Sequence, residues 1–160
     1  LIAEGCAFRG VLYGGLMKTP NGIKVIEFNA RFGDPETEVV LPRLKSDAVE
    51  LFGAVAEGKA PVAEWSDEAT LGIVLASKGY PGSYDKGAVI RGTERVESKI
   101  YHMGTAIKDG ELVTAGGRVM IVVASAATLE EAQRKARKDV ELLECDNLFY
   151  RTDIGNKAFK

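Results

Sequence analysis

Glu27, Asn29 and Arg31 alternate through Val25-Ile-Glu-Phe-Asn-Ala-Arg31. Side chains on a strand point to opposite faces in turn, so the reading places these three on one face. Ile26, Phe28, Ala30 and Phe32 then take the other face and are expected to anchor the strand in a core. Residues two apart stand about 6.6 Å from each other along a strand, close enough for both side chains to converge on one cation. A carboxylate and an amide oxygen are hard ligands that suit Mg²⁺, which takes few protein ligands and fills its shell with phosphate and water. Arg31 would follow where a guanidinium can stabilise charge on a transferring phosphoryl group. A polar face on an antiparallel edge strand is the competing reading, and the short pattern alone favours it. The continuation Phe32-Gly-Asp-Pro-Glu36 tilts the balance back toward chemistry.

Elements must hold these residues in place. Arg9 to Lys18 and Ile23 to Arg31 read as two strands, joined by the turn Thr19-Pro20-Asn21-Gly22. Gly33-Asp34-Pro35 ends the hairpin, since Pro35 lacks a ladder donor. Ser46 is the expected N-cap of a helix that carries Ala48, Val49, Leu51, Phe52, Val55 and Ala56 and stops at Gly58. Gly58 to Ser66 reads as a connection, with a first domain over 1–63 and a second over 64–160. The second begins with an apolar strand, Ala69 to Ser77. Lys99 to Ile107 and Glu111 to Thr114 are strands around the tight loop Lys108-Asp109-Gly110. Gly116-Gly117 precedes a buried strand, Arg118 to Ser125. Thr128 and Glu131 form a capping box, and Leu129, Ala132, Ala136, Val140 and Leu143 make one apolar stripe. This order points to the α+β class.

Composition narrows the partners. The 160 residues carry 21 Lys plus Arg against 23 Asp plus Glu, a formal net charge of −2. That balance speaks against a nucleic-acid binder and against a polybasic membrane-surface protein. No apolar run is long enough to span a bilayer as a helix. Cys6 and Cys145 share no metal-ligand spacing and are expected as reduced thiols in a cytoplasmic protein. The single His102 offers no imidazole pair for a metal and is expected to hydrogen-bond structurally. Lys18 follows Met17 rather than glycine, so Gly14 to Thr19 is only superficially like a phosphate-binding loop.

Arg31-Phe-Gly-Asp-Pro-Glu36 resembles the signature of the phosphoribosylamine–glycine ligase family, ATP-grasp enzymes of purine biosynthesis. The likeness continues through Tyr101-His-Met-Gly-Thr105, Gly116-Gly-Arg-Val119 and Tyr150-Arg-Thr-Asp-Ile-Gly155. It spans essentially the whole chain, but corresponds only to the C-terminal part of such an enzyme. The resemblance implies the C-terminal part of an ATP-grasp fold, a β-hairpin plus helices, followed by a small β-rich C-terminal domain with a packed helix. It implies ATP-dependent coupling of glycine to 5-phosphoribosylamine through a glycyl phosphate, with ATP, glycine and the amine as partners. Glu27 and Asn29 would bind Mg²⁺ or Mn²⁺, Arg31 would steady the γ-phosphate, and Asp34 would lie by glycine and the amine as a catalytic or substrate-binding group. Arg118, with Gly117, is the candidate for the sugar 5-phosphate; a hairpin turn with a surface arginine is the alternative there. Tyr150, Arg151 and Asp153 fit interdomain packing as well as ligand binding.

Two departures stand out. The strand from Phe8 to Thr19 carries no acid, where many ATP-grasp enzymes place a further metal-binding carboxylate, and Glu38 stands where relatives often have Gln. The missing initial Met and the absence of upstream nucleotide-gripping domains lead to the expectation of a fragment, inactive alone and prone to self-association. The rival to a catalytic fragment is a non-catalytic α+β module that binds a phosphorylated metabolite or supports assembly.

Overall fold

The computed structural model describes residues 1–159, in two compact units that divide after Ser66. Residues 64–66 belong with the first because they are bonded into it. Leu44 and Trp65 form an antiparallel bridge, Lys45 N–H donates to the Glu64 carbonyl, and Ser66 N–H donates to Arg43.

In the first unit, β1 (Tyr13–Thr19) and β2 (Gly22–Asn29) form the expected hairpin, with Thr19 opposite Gly22. The turn is held by the Thr19 hydroxyl, which donates to the Gly22 carbonyl at 2.7 Å and accepts from Asn21 N–H at 3.2 Å. Gly22 has a φ of 94°, a conformation that favours glycine there. Gly15 faces Glu27 while Leu16 faces Val25, so Ile26 is an extra, bulged residue. β2 ends at Asn29, two residues before the expected limit. Arg31 therefore sits in a bend, where strand alternation no longer dictates its direction.

The anchoring expectation for β2 fails for most of its residues. Ile26 and Phe28 are 63% and 65% exposed, and Ala30 is exposed as well. Only Phe32 packs, edge-on to Phe52 with ring centroids 5.9 Å apart. A short helix not foreseen from the sequence, α1 (Glu36–Val40), continues into a 3₁₀ turn at Leu41–Arg43. Helix α2 (Ala48–Ala56) is capped by Asp47, which accepts from Val49 and Glu50 N–H at 2.8 and 2.9 Å. Ser46, the expected cap, instead accepts from Glu64 N–H at 2.8 Å and ties the connection down. Gly58, with φ at 81°, follows the helix end as expected.

The second unit holds the buried core. Its four-stranded antiparallel sheet runs β4 (Lys99–His102), β7 (Arg118–Ala126), β3 (Ala69–Ser77), β8 (Leu148–Phe149). β7 is buried at six successive positions, Val119 to Ala124, so both faces of that strand are covered. Helix α3 (Leu129–Val140) packs on β3 and β7 through Ala132, Ala136 and Val140, and the Thr128 hydroxyl accepts from Glu131 N–H. Asp139, on the same buried side, was not foreseen; its carboxylate accepts from Ser98 N–H at 2.8 Å, which satisfies it.

The strand expected over 99–107 is broken in two. β5 (Thr105–Lys108) leaves the main sheet and pairs with β6 (Glu111–Thr114) around Asp109 and Gly110, both at positive φ. The break falls at Gly104, whose backbone crosses that of Gly116: a Cβ on Gly104 would stand 2.7 Å from the Gly116 α-carbon. Only glycines permit that approach.

Candidate functional site

The expected metal pair is brought together. Glu27 and Asn29 lie on β2 facing Gly15 and Tyr13 of β1, and Asn29 Nδ2 donates to Glu27 Oε1 at 3.0 Å. Cross-strand partners share a face, so Tyr13, Gly15, Glu27 and Asn29 form one patch. Gly15 leaves room for the acid to lean across: a Cβ there would stand 3.2 Å from Glu27 Cγ. Glu27 is exposed and Asn29 half-buried. A carboxylate and an amide within hydrogen-bond distance are a donor set that fits a hard cation requiring few protein ligands. Among the described residues no group of three or more His, Cys, Asp or Glu forms a complete protein cage.

Beyond the pair, Arg31 is exposed, and its Nη1 donates to the Phe32 carbonyl at 3.0 Å. Asp34 is exposed in the turn that leads into α1, with a cis peptide to Pro35. That turn is held by Thr37, whose N–H donates to the Gly33 carbonyl at 2.9 Å and whose hydroxyl donates to the same oxygen.

Two residues that the sequence reading left without a role border the patch. The Tyr13 hydroxyl is held above the ordinary phenol pKa by burial first, then by the neighbouring carboxylates of Glu36 and Glu27. The Glu36 carboxylate occupies the place where a Cβ of Gly33 would stand. Strand alternation across the hairpin could have marked Tyr13; nothing local marks Glu36, which reaches Tyr13 from another element. Glu38 Oε2 and Arg43 Nε are buried without a hydrogen-bond partner among the described residues.

Arg118 and Gly117 belong to the second unit. Arg118 opens β7 and is half-buried. Gly117 is buried under the Tyr80 ring, and its carbonyl accepts from Ser77 N–H at 2.8 Å. The Gly116–Gly117 pair thus serves two close approaches, one to the Gly104 backbone and one to an aromatic face. His102 Nδ1 shares a hydrogen bond of 3.0 Å with the Thr105 hydroxyl, in line with a structural role. Arg151 forks onto Asp153 at 2.9 and 2.7 Å and holds that carboxyl below its usual pKa. Tyr150 packs against the core of its own unit, and Arg137 donates to the Thr152 carbonyl, so this motif folds onto α3. Both cysteines are free, and no helix among the described residues is long and apolar enough to cross a membrane.

Comparison with known proteins gives consistent matches. Residues 70–157 match the model of the phosphoribosylglycinamide synthetase C domain, and residues 1–37 that of the ATP-grasp (A) domain of the same synthetase. The chain is 54% identical over 160 residues to a phosphoribosylamine–glycine ligase of Halalkalibacterium halodurans, covering 99% of this chain and 37% of that protein. The corresponding ligase of Caldanaerobacter subterraneus subsp. tengcongensis is 49% identical over 155 residues, covering 95% and 37%. The crystal structure of the Thermotoga maritima ligase superposes with a TM-score of 0.83 at 38% identity, over 96% of this chain and 39% of that one. The chain thus spans somewhat over a third of the length of these relatives. With more than half of its residues matched by the C-domain model, and the ATP-grasp model meeting the segment that carries Glu27, Asn29 and Arg31, the chain belongs to the phosphoribosylglycinamide synthetase family.

Proposed function

We propose that this chain supplies the cation-binding and phosphoryl-transfer face of an enzyme that ligates glycine to 5-phosphoribosylamine at the expense of ATP. The observation that carries the reading is the 3.0 Å contact between Asn29 and Glu27 on one hairpin face, with Arg31 and Asp34 following directly. The γ-phosphate of ATP would pass to the glycine carboxylate, giving glycyl phosphate and ADP. The amine of 5-phosphoribosylamine would then attack the acyl carbon, expel phosphate and yield glycinamide ribonucleotide.

In that scheme Glu27 and Asn29 hold Mg²⁺ or Mn²⁺, which when bound would neutralise phosphate charge. Arg31 offers a guanidinium to the transferring phosphoryl group. Asp34 faces the glycine and amine, to orient them or to accept a proton. Arg118 is the proposed partner of the sugar phosphate; with the Gly117 α-carbon covered by Tyr80, the guanidinium carries that role more readily than the glycine does. The unit ending at Ser66 would complete an ATP-grasp domain, and the unit beginning at Asp67 would form the C-terminal domain. The remaining length of the relatives would supply the adenine grip, so the isolated chain is expected to be inactive, in a cytoplasmic setting.

The test is Glu27→Ala in the full-length ligase. Turnover should fall at least a hundredfold, with the circular dichroism spectrum and melting midpoint unchanged. Activity that survives the substitution would instead favour a non-catalytic module. The isolated chain should release no phosphate from ATP in the presence of both other substrates.

A further inference from the structure

Arg118 leaves the backbone at a point where regular strand alternation breaks down. β3 and β7 pair in even register from Ala69 opposite Ala126 to Leu75 opposite Met120, and the next pair is Ala76 with Arg118. Val119 is therefore an extra, bulged residue, and a bulge re-aims the side chains beside it. The stretch before the bulge, Gly116-Gly117, is gripped from the end of β3. Ser77 N–H donates to the Gly117 carbonyl at 2.8 Å, and the Ser77 hydroxyl donates to the Gly116 carbonyl at 2.9 Å. One residue thus holds two successive carbonyls. The Ser77 carbonyl in turn accepts from Tyr80 N–H at 3.0 Å, in the turn that brings the Tyr80 ring over Gly117. Across β7, the Val119 carbonyl accepts from Met103 and Gly104 N–H at 3.0 and 2.9 Å. Those main-chain bonds do not depend on side-chain type, but the bond to Gly116 does. Ser77 is 0% exposed, so its hydroxyl has no water to turn to and is committed to that carbonyl.

We propose that Ser77 is a positioning residue: it fixes the Gly116–Gly117 backbone and, through it, the place from which Arg118 reaches the sugar phosphate of the substrate. The inference deepens the ligase reading, which assigns that phosphate to Arg118, and rests on it for its purpose. A guanidinium binds phosphate best through two parallel N–H donors, so a small displacement of its backbone costs contact. The sugar phosphate takes no part in the acyl transfer and is bound alike in ground and transition states. Loss of its contact therefore raises KM for 5-phosphoribosylamine and spares kcat.

The test is steady-state kinetics of the full-length ligase carrying Ser77→Ala, Arg118→Ala or both. Ser77→Ala should raise KM for 5-phosphoribosylamine about tenfold, the worth of one buried hydrogen bond, and leave kcat and the KM values for ATP and glycine unchanged. In the Arg118→Ala background it should raise that KM no further, because the two residues act in series. Amide hydrogen exchange at residues 115–118 should quicken in Ser77→Ala. Ser77→Cys fills the same space with a weak donor, and it carries the same comparison where the alanine variant does not fold. An unchanged KM for the amine in Ser77→Ala overturns the proposal, and so does an equal rise with and without Arg118. A fall in kcat with all three KM values raised also overturns it, since that pattern marks a residue that only holds the fold. If Arg118→Ala leaves the KM for the amine unchanged, the phosphate role in the ligase reading fails, and with it the purpose given to Ser77. Faster exchange in Ser77→Ala would then still mark Ser77 as the residue that holds the loop.

Discussion

At the scale of single residues, the family motifs separate into groups that face outward and groups that hold the chain together. Glu27, Arg31 and Asp34 are exposed, whereas Gly33, Gly104 and Gly117 are places where other atoms need room. Gly117→Ala would drive a methyl group into the Tyr80 ring. It should cost about 1–3 kcal/mol, seen as a lowered urea midpoint with an unchanged slope. The Arg151–Asp153 fork carries a pH signature. The Asp153 carboxyl titrates below its unfolded value, chiefly because Arg151 hydrogen-bonds it. Its contribution is therefore present above the unfolded carboxylate pKa of about 4 and is lost as pH falls through the lower, folded value. Hydrogen exchange at the Asn156 amide, which donates to the Asp153 carbonyl, should accelerate below about pH 4. Asp153→Asn should show the faster exchange already at neutral pH.

At the scale of elements, the sequence spoke clearly where a local rule sufficed. The Thr19–Gly22 turn, the Thr128 cap, the Ala132–Ala136–Val140 stripe and the Asp109-Gly110 loop all follow from residue type and spacing, and the structure contains them. It was silent where a distant partner decides. Ser46 and Asp47 are both good caps by type; Glu64, 18 residues on, takes the Ser46 hydroxyl and leaves Asp47 to the helix. The crossing at Gly104 and the bulge at Ile26 arise from contacts between segments, and so the break in the 99–107 strand was illegible. The candidate site divides in the same way. Glu27 and Asn29 were readable from strand alternation, but Arg31 lies past the strand end, and Tyr13 with Glu36 meet only in three dimensions. Asp47→Ala should remove the α2 cap and lower stability by about 1 kcal/mol. Ser46→Ala should leave α2 helicity unchanged and instead loosen residues 62–66, as limited proteolysis will report.

At the scale of the molecule, the two units are unequal. The fully buried large side chains, Ile73, Met120, Ile121, Val119 and Val122 among them, all belong to the second. The first places Leu16, Ile23, Val25, Ile26 and Phe28 in solvent, each more than half exposed. Such a patch seeks cover. Light scattering on the isolated chain should show a mass that rises with concentration, and replacing Ile26 and Phe28 together by Thr should bring it back to that of one chain. A constant monomer mass at high concentration for the unaltered chain would contradict this.

The strand pairings also set a clock. β1 meets β2 across a two-residue turn, whereas β3 meets β7 with Ala69 opposite Ala126. Hairpins close in about 1–10 μs, while pairings between distant segments wait on the entropy of closing a long loop. As the chain folds, the exposed apolar hairpin of the first unit therefore pairs before the sheet core of the second unit exists. During that interval the strands of the second unit add their own uncovered apolar surface to that of the hairpin, so refolding yield should fall as protein concentration rises.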